Sequence, residues 1–294
     1  MAEPRAAVAG ASSQNAARAL LWAILILFAL FYLAPLYVMI ATSLKGAGEI
    51  RQGNLLALPQ APSFAAWAKA WSSACVGIEC TGIGRFFWNS VKMVVPAVAI
   101  STIVGALNGY VLTKWSFKGA NVIFALILFG CFIPFQIVLI PMARVLGLLG
   151  LAASTPGLVL VHCVYGLCFT TLYFRNFYAA FPTDLVKAAK IDGAGFFTIF
   201  RRIMLPNSLP ILVVTVIWQF TNIWNDFLFG SSFAAGAAAP ITVALNNIVN
   251  TSTGVKEYNV DMASAMMTAL PTLLVYVLAG QYFVRGLMAG AVKG

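Results

Sequence analysis

Apolar residues run along this chain in long blocks, and polar residues collect in the gaps between them. A bilayer core about 30 Å thick is crossed by roughly 20 consecutive apolar residues in helical form. Six windows approach or exceed that length, at 19–42, 89–113, 120–143, 155–174, 209–230 and 262–284. The pattern predicts an all-α, polytopic membrane protein with six transmembrane helices over 19–284, flanked by tails at 1–18 and 285–294. The first window, LLWAILILFALFYLAPLYVMIA, follows Arg5 and Arg18 as a secretory signal would. It is longer than the usual apolar core of about 7–15 residues and lacks an A-x-A cleavage site, so it reads as a retained span.

Composition supports this pattern. With 61% hydrophobic and 9% charged residues, the chain has too few polar groups to surface a soluble domain. The net charge of +10 does not indicate nucleic acid, because the basic residues are scattered between apolar blocks and not gathered on one face. They sort by side of the membrane instead. On one side of a six-span threading fall Arg5, Arg18, Lys114, Lys118, Arg175, Lys187, Lys190, Arg201, Arg202, Arg285 and Lys293. On the other fall Lys45, Arg51, Lys69, Arg85, Arg144 and Lys256, most of them in one long connection over 43–88. The bias predicts cytoplasmic N- and C-termini, outer loops at 43–88 and 231–261, and a cytoplasmic loop at 182–208.

Candidate enzymatic chemistry is sparse. His162 sits in LVLVHCVYGL without a neighbouring acid or serine, so a satisfied or pore-facing imidazole outweighs a catalytic base. There is no G-x-x-x-x-G-K-[ST] loop to cradle phosphates. Cys131, Cys163 and Cys168 lie in spans and read as small hydrophobes. Cys75 and Cys80, in CVGIEC, lie in the first outer loop, where an oxidising compartment permits a disulfide; spacing alone leaves that pairing open. No cysteine pair or His/Cys cluster suggests a metal.

The cytoplasmic segment VKAAKIDGAGFFTIFRRIMLP (186–206) is the most distinctive stretch. Pro182 and Thr183 offer a helix start, LVKAAKID spans about two turns, and Gly193 supplies a residue able to end a helix in the left-handed region. Beyond it, Phe196, Ile199, Phe200 and Ile203 fall at i, i+3, i+4 and i+7, forming one apolar stripe before Pro206 interrupts the pattern. Small Ala188, Ala189, Gly193 and Ala194 would admit close approach by a partner. On physical grounds, docking against another protein and lying on anionic headgroups both remain open.

The same segment resembles the cytoplasmic EAA loop of ABC-importer membrane subunits. Ala188, Ala189, Gly193 and Ile203-Met204-Leu205-Pro206 match its form, whereas Lys187 stands where the family usually has glutamate. The stretches 133–160, 174–185, 220–230 and 282–294 are similar to the carbohydrate-uptake branch, in particular to the maltose-type partner subunit with its G-x-x-x-G-A-V-K-G tail. The loop 241–263 looks more like glucose/mannose-type permeases. The resemblance implies a permease subunit that is not itself an enzyme and carries no cofactor, ATP and Mg being held by a partner ATPase dimer. It also implies a second homologous permease, an extracytoplasmic sugar-binding protein and a place in the bacterial inner membrane. The sugar would be glucose/mannose or another mono- or oligosaccharide; a non-sugar solute, or a secondary transporter, are the alternatives. Contact with the ATPase is expected from Lys187, Ala188, Ala189, Asp192, Gly193, Ala194, Phe196, Phe200, Leu205 and Pro206, with Gly290 to Gly294 as a second contact.

Polar groups inside spans are costly and mark a cavity or a partner. Asn108, Gln136, His162, Asn222, Asn225, Asp226 and Gln281 are such groups. Asn222, Trp224, Asn225 and Asp226 are the expected substrate path, since aromatic faces beside amides and carboxylates suit sugars. The alternative is that Asp226 and the tryptophans mark the outer membrane interface.

Overall fold

The computed structural model describes the backbone of residues 6–115, 117–234, 236–250 and 255–291, with side chains over the part of these from 15 to 280. In chain order the helices are α1 (Ala6–Ser43), α2 (Ala47–Arg51), α3 (Ala65–Ser72), α4 (Gly84–Lys114), α5 (Ala120–Gly130), α6 (Phe135–Leu148), α7 (Thr155–Ala180) and α8 (Thr183–Ile191). They continue as α9 (Phe196–Ile199), a π-helical turn (Phe200–Met204), α10 (Leu205–Asn207), α11 (Leu209–Trp224), α12 (Leu228–Phe233), a 3-10 turn (Gly236–Ala238), α13 (Ile241–Asn250) and α14 (Tyr258–Ala291). Contacts divide the chain into two units, one of residues 1–70 and 252–266, the other of residues 71–251 and 267–294.

In the first unit the apolar stretch of α1 shows its side chains outward, with none of its most apolar window buried. Its C-terminal end is tied down by polar groups. Lys45 donates to the Asn54 carbonyl (3.0 Å) and Trp67 Nε1 to Ser43 Oγ (3.1 Å), while Asn259 Nδ2 donates to the Lys45 carbonyl (3.0 Å).

In the second unit, α4 and α7 form the central pair. Cys163 reaches Ala97, Thr170 reaches Ser101, and Lys114 reaches Phe181, so the partners advance together and the two helices run parallel. Ser101, Gly105 and Gly109 recur every fourth residue on α4 and let the backbones approach closely. A Cβ at Gly105 would lie 2.3 Å from Thr170 Oγ1, and one at Gly109 would lie 2.7 Å from the Arg175 nitrogen. Gln219 of α11 donates to Ser101 Oγ (2.7 Å) and Ser208 donates to Tyr178 (2.7 Å), so α11 runs antiparallel to both.

Parallel neighbours oblige the chain between them to return to its starting side. That return is made by α5 and α6, bent by 102° at the break between them, so the expected straight span 120–143 is a broken one. Pro134 at the N-terminus of α6 and Tyr165 bonding the Ile133 carbonyl (3.2 Å) hold the break, satisfying backbone that a straight helix would have satisfied itself. Among the described residues there are thus four unbroken helices of spanning length, or up to six spans if each bent pair counts as one. The expected span 209–230 also changes: α11 ends at Trp224, and α12 begins at Leu228.

At the N-terminal end of α4 stands the Cys75–Cys80 disulfide, which closes a small hairpin together with a Val76/Glu79 bridge. At its C-terminal end stands the start of α8, bonded by Lys114. With 31 residues in α4, the two lie about 46 Å apart along it.

Candidate functional site

Two features of the second unit carry functional potential. The first is the segment 181–208. Phe181 and Pro182 are extended, which turns the chain out of α7, and the fixed φ of proline then favours a helix start at Thr183. Asp184 in the first turn and Lys190 in the last complement the helix dipole. The stop is a Schellman motif: Ala194 donates to the Ala189 carbonyl (2.9 Å), Gly193 to that of Lys190 (3.1 Å), and Gly193 is left-handed at φ +80°. The expected helix, glycine and second helix are all present.

Beneath them lies a core of Val186, Ala189, Ile199, Phe200 and Met204 against Tyr110, Phe174 and Tyr178. Tyr110 stacks within 4.9 Å of Phe196 and 5.5 Å of Phe200, and its hydroxyl donates to the Phe196 carbonyl (3.3 Å). Lys114 donates to the Phe181 carbonyl (2.6 Å) and to Thr183 (3.2 Å), and the Lys190 ammonium lies 4.1 Å over the Trp115 ring. The segment is therefore fastened to α4 as well as to its flanking helices.

These contacts redistribute the expected docking residues. Ala189 and Phe200 are buried, and Phe196, Leu205 and Ala194 are partly buried, so they anchor the segment to its own chain. Lys187, Ala188, Asp192, Gly193 and Pro206 are exposed, with Lys187 paired to Asp184 at 3.2 Å. The outward apolar surface is supplied by Leu185 (51% exposed), Ile191 (86%) and Phe197 (73%) beside Ala188. Positions 185, 188 and 191 share one face of α8, a spacing legible in the sequence but hidden by the stronger stripe at 196–203.

The second feature is a cavity of about 270 Å³ between α7 and α11, lined also by Phe135 and Phe229. From α7 come His162, Tyr165, Gly166 and Phe169, at i, i+3, i+4 and i+7; from α11 come Trp218, Gln219, Asn222 and Ile223, with Asp226 just beyond. Trp218 packs on Phe169 (4.6 Å) and Tyr173 (5.6 Å). Asp226 accepts from the Phe229 amide (3.3 Å) and the Gly230 amide (3.0 Å), capping α12. Aromatic faces and polar tips thus converge on one space.

Of the expected path residues, Asn222 and Asp226 line this cavity and Trp224 and Asn225 do not. Trp224 is a core residue, 1% exposed, whose indole donates to the Thr268 carbonyl (2.8 Å) and stacks on Phe220. Asn225, past the helix end, accepts from Thr272 (3.4 Å). The helix rotates about 100° per residue, so 218 and 222 share a side that 224 does not, and Asp226 reaches the cavity from the turn beyond the helix end. Of the other polar span groups, Asn108 donates to Thr171 (3.1 Å), Gln136 is exposed, and the Gln281 side chain lies outside the described residues. Residues 292–294, and with them part of the expected Gly290 to Gly294 contact, also lie outside. Among the described residues no group of three or more His, Cys, Asp or Glu could hold a metal ion.

Comparison with known proteins agrees with this architecture. A probable ABC transporter permease protein of Pyrococcus horikoshii is 38% identical over 278 residues, covering 94% of this chain and 98% of that one. A xylose/arabinose import permease protein of Haloferax volcanii is 32% identical over 298 residues, covering 94% of each. The crystal structure of a bacterial transporter importing the acidic polysaccharide alginate shares the fold, with TM-score 0.78 at 20% identity over 96% of this chain and 100% of that chain. Residues 97–285 match the binding-protein-dependent transport system inner membrane component, and the chain belongs to that family.

Proposed function

We propose that this chain is the membrane-spanning permease of an ATP-driven importer that passes a sugar across the cytoplasmic membrane by alternating access. The carrying observation is the pairing of a lined cavity with an exposed apolar knob within one compact helical unit. The cavity between α7 and α11 presents carbohydrate-type chemistry. The knob, with Leu185, Ile191 and Phe197 outward, offers a surface for an ATPase subunit. α11 follows the knob after a 78° bend, so displacement of one is transmitted to the other by rigid-body motion.

The sidedness follows from two features. Lys and Arg concentrate at the α8 end, and the disulfide hairpin stands at the other, where an oxidising compartment suits it. This supports cytoplasmic termini, an ATPase dimer with its ATP and Mg on the α8 side, and a sugar-delivering binding protein on the hairpin side. A second permease completes the path, and the outward apolar face of α1 meets lipid or that partner. Sugar-importing relatives, including the xylose/arabinose permease, favour sugar over other solutes; glucose or mannose is the specific proposal from the 241–263 loop.

The test is reconstitution of the chain with its genomic neighbours in vesicles. ATP-dependent sugar uptake requiring the binding protein is expected. Uptake driven by an ion gradient without the ATPase would overturn the proposal.

A further inference from the structure

We infer that His162 and Asp226 form a selectivity pair in the cavity, bracketing one hydroxyl group of a neutral sugar and turning away sugars that carry a carboxylate. The inference rests on the sugar reading above and assigns the chemistry of one subsite within it.

His162 is 5% exposed, its ring set edge-on against Phe229 at 5.6 Å. Its Nε2 is buried and has no hydrogen-bond partner, and it stands 3.7 Å from Asp226 Oδ2. That separation is too long for a direct hydrogen bond, and one oxygen set about 2 Å to the side of the line between the two atoms lies about 2.8 Å from both. Buried polar atoms are nearly always satisfied, and His162 also lines the cavity, so this orphan marks a place for an arriving group.

The gap cannot close easily. Asp226 is held by the Phe229 and Gly230 amides, while its own carbonyl accepts from Thr242 Oγ1 (2.6 Å). Gly230 is itself wedged, since a Cβ there would lie 2.5 Å from Pro240. The carboxylate favours the imidazole tautomer with its proton on Nε2. A sugar hydroxyl then accepts from Nε2 and donates to the carboxylate, satisfying both groups at once. A uronate carboxylate has no proton to donate and would set a second negative charge beside Asp226. The cavity lining contains no Lys or Arg to compensate, its other polar groups being Tyr165, Trp218, Gln219 and Asn222.

The test uses the complete transporter in lipid nanodiscs, with fluorescence of Trp218, which lines the cavity, identified by the difference from a Trp218→Phe control. Neutral probes are glucose, mannose, xylose and maltose; carboxylated probes are glucuronate and galacturonate. At least one neutral sugar is expected to quench saturably, with uronates at least tenfold weaker. His162→Phe should weaken the neutral sugar at least fivefold, and His162→Gln, which keeps a donor, should stay within about threefold of the native chain. Asp226→Asn should bring uronates within threefold of the neutral sugar. Unchanged affinity in His162→Phe and Asp226→Asn, or equal binding of uronates by the native chain, overturns the pair while leaving sugar transport standing. Absence of quenching by every probe overturns the cavity as a sugar site, and the pair with it.

Discussion

Replacing Gly105 by alanine tests whether close approach of α4 and α7 holds the second unit together. The new Cβ would lie 2.3 Å from Thr170 Oγ1, 2.5 Å from its Cβ and 2.9 Å from its backbone carbon. A rotamer change relieves the first contact but not the last, so the helices must part by about 1 Å to reach the 3.5–4.0 Å of normal carbon contact. A gap of about 0.5–1 Å forfeits a quarter to a half of the dispersion energy of the contacts it opens. It also stretches the bond from Thr170 to the Ser101 carbonyl (2.9 Å) and that from Gln219 to Ser101 Oγ (2.7 Å). Overpacking of this kind costs about 1–3 kcal/mol, offset by at most about 1 kcal/mol of helix propensity. With the full offset a net loss of about 0–2 kcal/mol is expected for Gly105→Ala. At Gly147 in α6 an added Cβ would meet nothing within 4 Å, so Gly147→Ala should be neutral or slightly stabilising. Unfolding of the purified transporter by dodecyl sulfate titration, followed by tryptophan fluorescence, measures both. Midpoints that shift in the same direction for the two variants would refute the reasoning.

Gly193→Val meets no atom within 4 Å but must hold φ near +80°, so strain of about 1–2 kcal/mol or more should fall on the α8 stop alone. Gly193→Asn should retain ATPase coupling that Gly193→Val loses, and equal transport by both would contradict this. Leu185→Glu with Phe197→Glu should leave the melting temperature unchanged while abolishing co-purification of the ATPase; retained co-purification would move the docking surface elsewhere. Lys114→Met removes two donated bonds from a buried site and should cost about 1–3 kcal/mol in the same unfolding assay, with no loss indicating that α8 is held by its flanks alone. Trp224→Phe loses its bond to Thr268 and should cost about 1 kcal/mol without changing sugar binding, whereas a changed affinity would return Trp224 to the path.

The helix, glycine and helix of residues 183–199 were legible because each depends on local chemistry: a proline that starts a helix, and a glycine that can turn left-handed. The partition of the same residues into anchor and docking surface was not legible. Ala189 and Phe200 point inward because Tyr110, Phe174 and Tyr178 meet them from two other helices, Tyr110 lying 79 positions before Ala189. The path residues divide likewise: Asn222 and Asp226 reach the cavity, while Trp224 is claimed by α14 through Thr268. The sequence reading put Trp224 on the path and left Trp218 off it, and packing reverses the two.

By itself, then, the sequence determined the number and approximate place of the apolar blocks, the all-helical character and the charged loop, since hydrophobic length and short-range backbone preference are additive along the chain. Tertiary structure decided that the third block bends, that α4 and α7 run parallel through a row of small residues, and that a histidine and an aspartate 64 positions apart confront one another across 3.7 Å. Those outcomes depend on which distant surfaces compete for the same side chain, and that competition is settled only when the helices are packed.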